Sequence, residues 1–594
     1  MTVNERIALL REQMKKHHMD YYIITSADAH QSEYVPLHWK TREWISGFTG
    51  SAGTVIVTPD RACLWADGRY HIQAAEQIAG SELQLFKQGL DGVPDFPEWL
   101  GETIRDGETC GFDGRAVSIS QFRKLRQVCE PKQVHFSMEQ DLIGAIWTDR
   151  PAMPTDKAFE HSLAYAGKSR LEKIEEVRVH LKSVRCDSLL LASLDDIAWL
   201  LNMRGSDVEC TPVVSSYVYV GLAQTVLFVR EEKLEPALRA SFERDGIQIK
   251  DYDGIFAFLS ALQAPHIALN PDRISIRLRN LLPQDAEIRE ELDITSHLKA
   301  VKNETEQQNI EKAQIRDGVA MVRFIKWLKE SVSTEELEEA DMHEKLSALR
   351  AEQEDSRGPS FTTIAGYEEN AASMHYSPVK GHSKKLRAEN MLLVDTGGQY
   401  LGGTTDVTRT IILGEISPAM REDFTTVLKS HIAMAGARFL QGAAGCNLDI
   451  LARLPMWERG LDYKCGTGHG VGYFLSVHEG PQNFGQATTG RNTAVLKPGM
   501  YITDEPGIYR EGKWGIRTEN ILLVRQDETN ETGTYLSFDV AAYCPIDLDG
   551  LDVAMLSQRE KDWLNRYHAV VYSKLCDHLD EDERRWLKVN TRAI

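Results

Sequence analysis

The stretch MLLVDTGGQYLGGTTDVTRTIIL, residues 391–413, decides the fold. Two β-prone runs, 391–395 and 404–413, flank a Gly-rich segment, the pattern of a hairpin. With the turn centred between Tyr400 and Leu401, Asp395 falls opposite Asp406. Facing side chains across such a pair sit about 5 Å apart at Cβ. A second stretch, YITDEPGIYREGKWGIRTENILLV (501–524), has the same build, and a turn centred on Gly512 sets Glu505 opposite Glu519. Between the hairpins lies CGTGHGVGYFLSVHEGP (465–481), with His469 and His478.

Two facing carboxylate pairs and one imidazole make a cage for two divalent ions: Asp395, Asp406, His469, Glu505 and Glu519. Four carboxylates carry the charge that balances two dications. Two-metal hydrolytic sites hold their ions ~3.5–4 Å apart, and shared carboxylates make that approach tolerable. Oxygen donors with one imidazole favour manganese, accommodate zinc or cobalt, and argue against a thiolate zinc site. Any one of these residues alone reads as a solvated turn position. The five together point to metal.

The ordered phrases VDTGG, TTDVTRT, GTGHGVG, DEPGIY and GIRTEN resemble the pita-bread metallopeptidases, which include methionine aminopeptidase, prolidase and Xaa-Pro aminopeptidase. VHEGPQ and AYCPIDLDGLD bring the chain closest in wording to the three-domain Xaa-Pro aminopeptidases (aminopeptidase P), essentially from end to end. The resemblance implies an α/β (α+β) chain. Two creatinase-like α/β domains, 1–155 (non-catalytic, assigned to dimerisation) and 156–296, precede a pita-bread catalytic domain, 297–594. It further implies a homodimer.

The resemblance also assigns roles. Asp395 is a bidentate ligand of one ion, Asp406 and Glu519 bridge, and His469 completes the other shell with Glu505. A metal-bridging hydroxide is the nucleophile, and Glu505 shuttles its proton to the leaving nitrogen. His375 and His478 match two non-ligand active-site histidines that contact substrate. Arg517, two residues before Glu519 on one strand face, reads either as a partner of Asp395 or as an exposed strand arginine. Cys465 stands where many relatives carry a histidine that lines the proline pocket, and it reads as a pocket-lining thiol. The implied substrate is a peptide with proline at its second position. That bond is a tertiary amide without an N–H, and its ring fixes φ. Tyr473 and Tyr509 read as pocket walls or as core. The alternatives are a prolidase acting on dipeptides, or a metal-free peptide-binding module.

Composition agrees with a soluble multidomain enzyme. At 594 residues one core is too few, and 42% hydrophobic with 26% charged residues is ordinary. A formal charge of −20 argues against nucleic acid and anionic membranes as partners. Nine scattered cysteines without a CxxC fit free thiols. The N-terminus lacks the apolar run of a signal peptide, and no stretch suits a membrane span, so the expected location is cytoplasmic.

Along the chain, apolar spacing predicts a helix over 6–18 and strands over 21–25, 54–58 and 62–66. PAMPT (151–155) reads as a linker, followed by a helix over 169–184, a strand over 188–192 and a helix over 194–201. The repeated order suggests two copies of one α/β plan. GFTGSAG lacks the lysine of a phosphate loop, so its glycines are read as turn formers. Trp199 and Arg204 read as packing and a surface ion pair. Asn303 with Glu306 predicts a capped helix with Ile315, Val319, Val322 and Leu328 on its inner face. A charged helix is expected over 335–352 and two closing helices over 557–588.

Overall fold

The computed structural model describes residues 1–594, apart from the side chain of Arg491. The chain forms two compact units, Met1–His161 with Lys168–Thr295, and Ser162–Gly167 with Ser296–Ile594.

The first unit holds two six-stranded mixed sheets. Strands β1 (Tyr21–Thr25), β2 (Thr54–Val57), β3 (Ala62–Ala66), β4 (Gln84–Lys87), β5 (Thr109–Phe112) and β6 (His135–Ser137) lie in the order β4-β3-β2-β1-β5-β6. Strands β7 (Ser188–Leu191), β8 (Ser216–Gly221), β9 (Thr225–Val229), β10 (Ile247–Lys250), β11 (His266–Leu269) and β12 (Glu287–Glu290) lie in the order β10-β9-β8-β7-β11-β12. Directions match strand for strand. The pairs β1/β2 and β2/β3 are antiparallel and the others parallel, and the second sheet repeats this. The repeated plan expected from element order is therefore present. The central strands are buried along their whole length, as a sheet covered on both faces requires.

Helix α1 (Val3–Lys16) starts earlier than apolar spacing suggests. Thr2 and Glu5 form a reciprocal capping box that fixes its first turn, and Ile7, Leu10 and Met14 are buried as expected. Arg204 corrects the sequence reading. It is 1% exposed and donates to the carbonyls of Ala198 (2.7 Å) and Met203 (3.2 Å), so it is an interior cation rather than a surface ion pair. Trp199 is buried, with the Lys173 ammonium 4.4 Å from its ring centre.

In the second unit, α2 (Glu304–Ser331) is capped by Asn303 with Glu306, and it buries Val319, Val322 and Leu328, with Ile315 half-buried. The next helix, α3 (Asp341–Ala351), is shorter than the expected 335–352. The cause is Glu339. Its fully buried carboxylate accepts hydrogen bonds from the main chain of Tyr367 (2.7 Å) and Lys384 (2.9 Å) and from the Tyr376 hydroxyl (2.9 Å). A residue turned inward to satisfy these donors leaves the helical path. Helices α4 (Pro418–Ala435), α5 (Gly445–Trp457), α6 (Gln558–Leu575) and α7 (Glu581–Asn590) complete the helical layer.

The first hairpin is built of β13 (Met391–Thr396), β14 (Gly398–Tyr400), β15 (Gly403–Thr404) and β16 (Val407–Ile412). It turns one residue later than expected, at Leu401-Gly402, so Tyr400 faces Gly403 and Asp395 faces Thr408 instead of Asp406. The turn sits against α2, where a Cβ on Gly402 would stand 3.1 Å from that of Asn309. This crowding puts a glycine at the tip. Moving a turn centre by one residue shifts register by two, so Asp406 keeps the face of Asp395, one diagonal step away.

The second hairpin keeps the expected register. In it, β19 (Tyr501–Asp504) pairs with β22 (Asn520–Asn530), and β20 (Gly507–Arg510) pairs with β21 (Trp514–Arg517). Strand β17 (Gly468–Gly470) lies beside β19 with β18 (Glu479–Phe484) outside it, and β23 (Gly533–Val540) lies on the far side of β22. Among the described residues no helix is long and apolar enough to cross a membrane. The nine cysteines are free thiols.

Asn303→Ala should remove the N-cap of α2 and cost about 1 kcal/mol. Thermal unfolding should show a midpoint lowered by a few degrees, and an unchanged midpoint would mean that packing alone fixes the start of this helix.

Candidate active site

Both hairpins open their ladders at carboxylates, the first at Asp406 and the second at Glu505 and Glu519, while Asp395 stands within the β13/β16 ladder opposite Thr408. In the first, Asp406 lies between β15 and β16. Here the Thr405 main-chain N–H donates to Gly398 (2.9 Å), and Ser360 Oγ donates to the Thr405 carbonyl (2.9 Å). The crossing is so close that a Cβ on Gly397 would run into that carbonyl. In the second, Asp504 faces Asn520 and Gly507 faces Arg517. Glu505 and Glu519 are the next facing positions, in the gap between the two ladders. An opened ladder frees the local backbone to aim a side chain off the sheet.

His469 is set by its own strand. Its N–H donates to Thr503 Oγ1 (3.0 Å), and its Nδ1 bonds the Gly470 carbonyl (3.0 Å). Because a carbonyl only accepts, Nδ1 carries the proton. Nε2 is left 3.5 Å from Asp406 Oδ2 and 3.6 Å from Glu505 Oε1. Gly468 permits this, since a Cβ there would meet the Thr503 carbonyl. One donor atom each from Asp406, His469 and Glu519 lie within 4.8 Å of one another. Glu519 Oε2 accepts from Thr408 Oγ1 (2.6 Å), and its main-chain N–H bonds the Thr408 carbonyl (3.2 Å). Asp395 Oδ2 accepts from Arg517 Nη2 (2.6 Å).

The electrostatics are those of crowded anions. Burial, reinforced by Asp395 and Glu505, pushes the Asp406 carboxyl up to about 6, against the lowering bond to His469. Burial and the same neighbours drive Glu519 well above the carboxylate range. Burial disfavours charge on His469, but its bond to Asp406 and the charge of Glu505 outweigh this and raise it to about 9. Asp395 Oδ1 is buried without a hydrogen-bond partner. Crowded carboxylates, an aimed imidazole nitrogen and an orphaned carboxylate oxygen are a donor set that fits a pair of dications.

Of the remaining candidates, His478, Arg517 and Cys465 border this cluster. His478 stacks edge-on against His469, with ring centres 4.3 Å apart. Its loop is tied down by Glu479, which takes a buried ion pair from Lys302 and another from Lys299 (3.0 Å). Lys302 also donates to the Val471 carbonyl (2.8 Å). His375 is half-buried in a turn, next to Tyr376, whose hydroxyl is held by Glu339. Arg517 Nη1 donates to Tyr509 Oη (2.6 Å), so Tyr509 reaches the site through the arginine. Tyr473 is buried and donates to the Tyr165 carbonyl (3.0 Å), which makes it a packing residue. Cys465, like Tyr509 and Trp514, packs against the apolar cluster that includes Ile508 and Ile516, and burial, then Glu505, push its thiol up to about 12, which keeps it uncharged. Thr408 was missed from the sequence. It joins Glu519 to Arg517, accepting from Nε at 3.1 Å, and the correct hairpin register places it opposite Asp395.

Comparison with known proteins bears on this site. Two profiles of the creatinase/prolidase N-terminal domain match residues 6–141 and 149–306. Metallopeptidase family M24 matches 308–526, and the C-terminal region of peptidase M24 matches 534–594. A probable Xaa-Pro aminopeptidase P of Talaromyces marneffei is 39% identical over 100% of this chain and 92% of its own length. One of Laccaria bicolor is 38% identical over 99% and 93%. The chain belongs to the Xaa-Pro aminopeptidase P family. The crystal structure of X-prolyl aminopeptidase from Caenorhabditis elegans, described as a cytosolic enzyme with a di-nuclear active site, superposes with a TM-score of 0.94 at 32% identity, covering all of both chains. As a member of this family the chain carries the whole carboxylate and histidine cluster inside its M24 segment.

Arg517→Met should free Asp395 Oδ2 and Thr408 together. Losing such a supporting contact costs typically ~10–100-fold in metal affinity or activity. Calorimetric titration of the chelator-stripped variant with manganese checks this, and wild-type affinity would reduce Arg517 to a packing residue.

Proposed function

We propose that this chain is a dinuclear metal-dependent aminopeptidase that releases the N-terminal residue from peptides with proline second. The observation that carries this reading is the grouping of Asp406, His469 and Glu519 within 4.8 Å, with Glu505 3.6 Å from His469 and the charge of Asp395 felt at Asp406. These five residues would hold two dications, with manganese favoured by the donor set and zinc or cobalt compatible with it. Bound there, the ions supply Lewis acidity and lower the pKa of water.

The side chains have separable tasks. Glu505 is the most accessible of the four carboxylates, its side chain 22% exposed against 11% for Asp395 and 5% for Asp406, with Glu519 buried. That suits it to carry a proton between water and the leaving nitrogen. His478, held against His469, and His375 are assigned as hydrogen-bond donors to the carbonyl oxygen and the scissile nitrogen. Arg517 pairs with Asp395 Oδ2 and holds that carboxylate aimed. Cys465, as a neutral thiol beside Tyr509, is assigned to the pocket wall. The absence of an N–H on the scissile nitrogen removes one ordinary recognition handle, so apolar contact with the ring has to replace it.

The three-part division at 155 and 296, with dimerisation through the first part, and the cytoplasmic location remain proposals of this reading. Free thiols and the cytosolic relative support the location. A second copy of the chain is the proposed occupant of an apolar stripe on α5, where Ile450, Leu454 and Trp457 are 48%, 49% and 40% exposed at helical spacing. This would place at least part of the dimer contact on the second unit. The double variant Ile450→Lys/Leu454→Lys should sediment as a monomer, and a dimer of unchanged affinity would clear this face.

The function is tested by hydrolysis of Arg-Pro-Pro and Ala-Pro with chelator-stripped protein, with and without manganese. Asp406→Ala is run beside the wild type. The expected result is manganese-dependent release of arginine from the tripeptide, abolished in the variant. Turnover of the dipeptide alone would make the chain a prolidase. No turnover with two ions bound would leave a peptide-binding module.

A further inference from the structure

Helix α4 carries one histidine with no exposed surface, His431, and its contacts fall on the residues flanking two of the carboxylates. Asn520 Oδ1 accepts from Arg409 Nη2 (2.8 Å) and from the Tyr567 hydroxyl (3.2 Å), which orients the amide. Its Nδ2 is therefore the atom that meets His431 Nε2 at 2.9 Å, and it donates to it. The imidazole proton is thus on Nδ1. It points at the Asp504 carbonyl (3.2 Å), with Asp504 Oδ2 3.0 Å away. The edge of the Trp563 ring, 5.7 Å away centre to centre, closes the remaining side.

Asp504 and Asn520 are the last facing pair of the β19/β22 ladder before it opens. Their next residues toward the opening are Glu505 and Glu519. One imidazole therefore spans the two strands at the point from which both carboxylates diverge. Arg409 reinforces the same point, since its Nη1 holds the carbonyls of Glu519 (2.6 Å) and Thr408 (2.8 Å). Buried polar side chains are costly unless bonded, and here the imidazole is bonded on both nitrogens, to the Asn520 amide and the Asp504 carbonyl. What the imidazole adds is a fixed distance. Metal ligands need placement to within about 0.5 Å, and that depends on the contacts behind them.

We propose that His431 is a positioning residue, a neutral imidazole with its proton on Nδ1 that sets the separation of Glu505 and Glu519 and so the affinity for the second dication. This inference rests on the dinuclear reading above. The test uses full-length protein stripped with chelator, and it compares the wild type with His431→Leu, His431→Asn and His431→Gln. Asparagine keeps a donor near Nδ1, glutamine keeps an acceptor near Nε2, and leucine keeps neither. Manganese titration by calorimetry, the melting temperature of the metal-free chain, and kcat and KM are read for each. The leucine variant should bind the weaker ion ~10–100-fold less tightly. Its kcat should fall by a similar factor and its KM by less than twofold, with the metal-free melting temperature changed by only a few degrees. The two polar variants should fall between, and they carry the test if the leucine variant does not fold. Wild-type affinity in all folded variants would overturn the proposal, as would losses that track the metal-free melting temperature. A wild type that binds fewer than two ions would instead overturn the dinuclear reading.

Discussion

Like charges held in one dry place are the constraint on which the catalytic unit depends. Asp395, Asp406, Glu505 and Glu519 repel one another, and burial removes the water that would screen them. Relaxing apart is the cheap response, and the fold has to forbid it. Two rigid hairpins do so, delivering Asp406, Glu505 and Glu519 from gaps in their ladders and Asp395 from a paired position beside them. Two buried guanidinium groups then tie the hairpins together. Arg517 reaches from the second hairpin to Asp395 and Thr408 on the first. Arg409 reaches from the first to the Glu519 carbonyl and Asn520 on the second, and to the Cys544 and Pro545 carbonyls in the closing segment. These acceptors are neutral oxygens, so they leave its charge uncancelled, and it adds to the field that favours anions nearby.

Much of this was legible because strand pairing is periodic. The second hairpin has one glycine at its tip, and its register follows from the sequence without ambiguity. The first has glycines on both sides of its tip, and local sequence does not say which takes the turn. The error that resulted was a shift of two residues, which preserves the face. Asp395 and Asp406 therefore stayed neighbours under either register. What changed was Asp395's direct partner, Thr408, and with it the link between Arg517 and Glu519. The start of α2 was legible because both halves of its capping box, Asn303 and Glu306, lie within one turn, whereas the equally complete Thr2–Glu5 box of α1 was masked by reading apolar spacing alone.

What stayed hidden depends on partners far apart in the chain. Nothing near Glu339 announces that it will accept bonds from Tyr367, Tyr376 and Lys384 and so end a charged helical pattern early. Nothing near Arg204 shows that its guanidinium will be spent on two carbonyls inside the core. His431 looks like one more residue of an amphipathic helix until the strand pair it contacts is assembled 73 and 89 residues later. Periodicity reports which face a residue takes, and it is silent about which distant polar group will meet it there.

The same geometry links substrate contact to the metal ligands. Tyr509 and Asp395 are bound to the two ends of one guanidinium, each at 2.6 Å. A proposed wall residue and a proposed ligand thus share a single planar group whose position neither sets alone. Movement of the tyrosine ring turns the arginine, and the arginine turns the carboxylate. Cys465 stands beside this relay without entering it, since a thiol that stays neutral alters neither the charge count nor the arginine's hydrogen bonds. Variation at position 465 can therefore reshape the pocket while leaving the carboxylate cluster intact, whereas variation at position 509 acts on both at once.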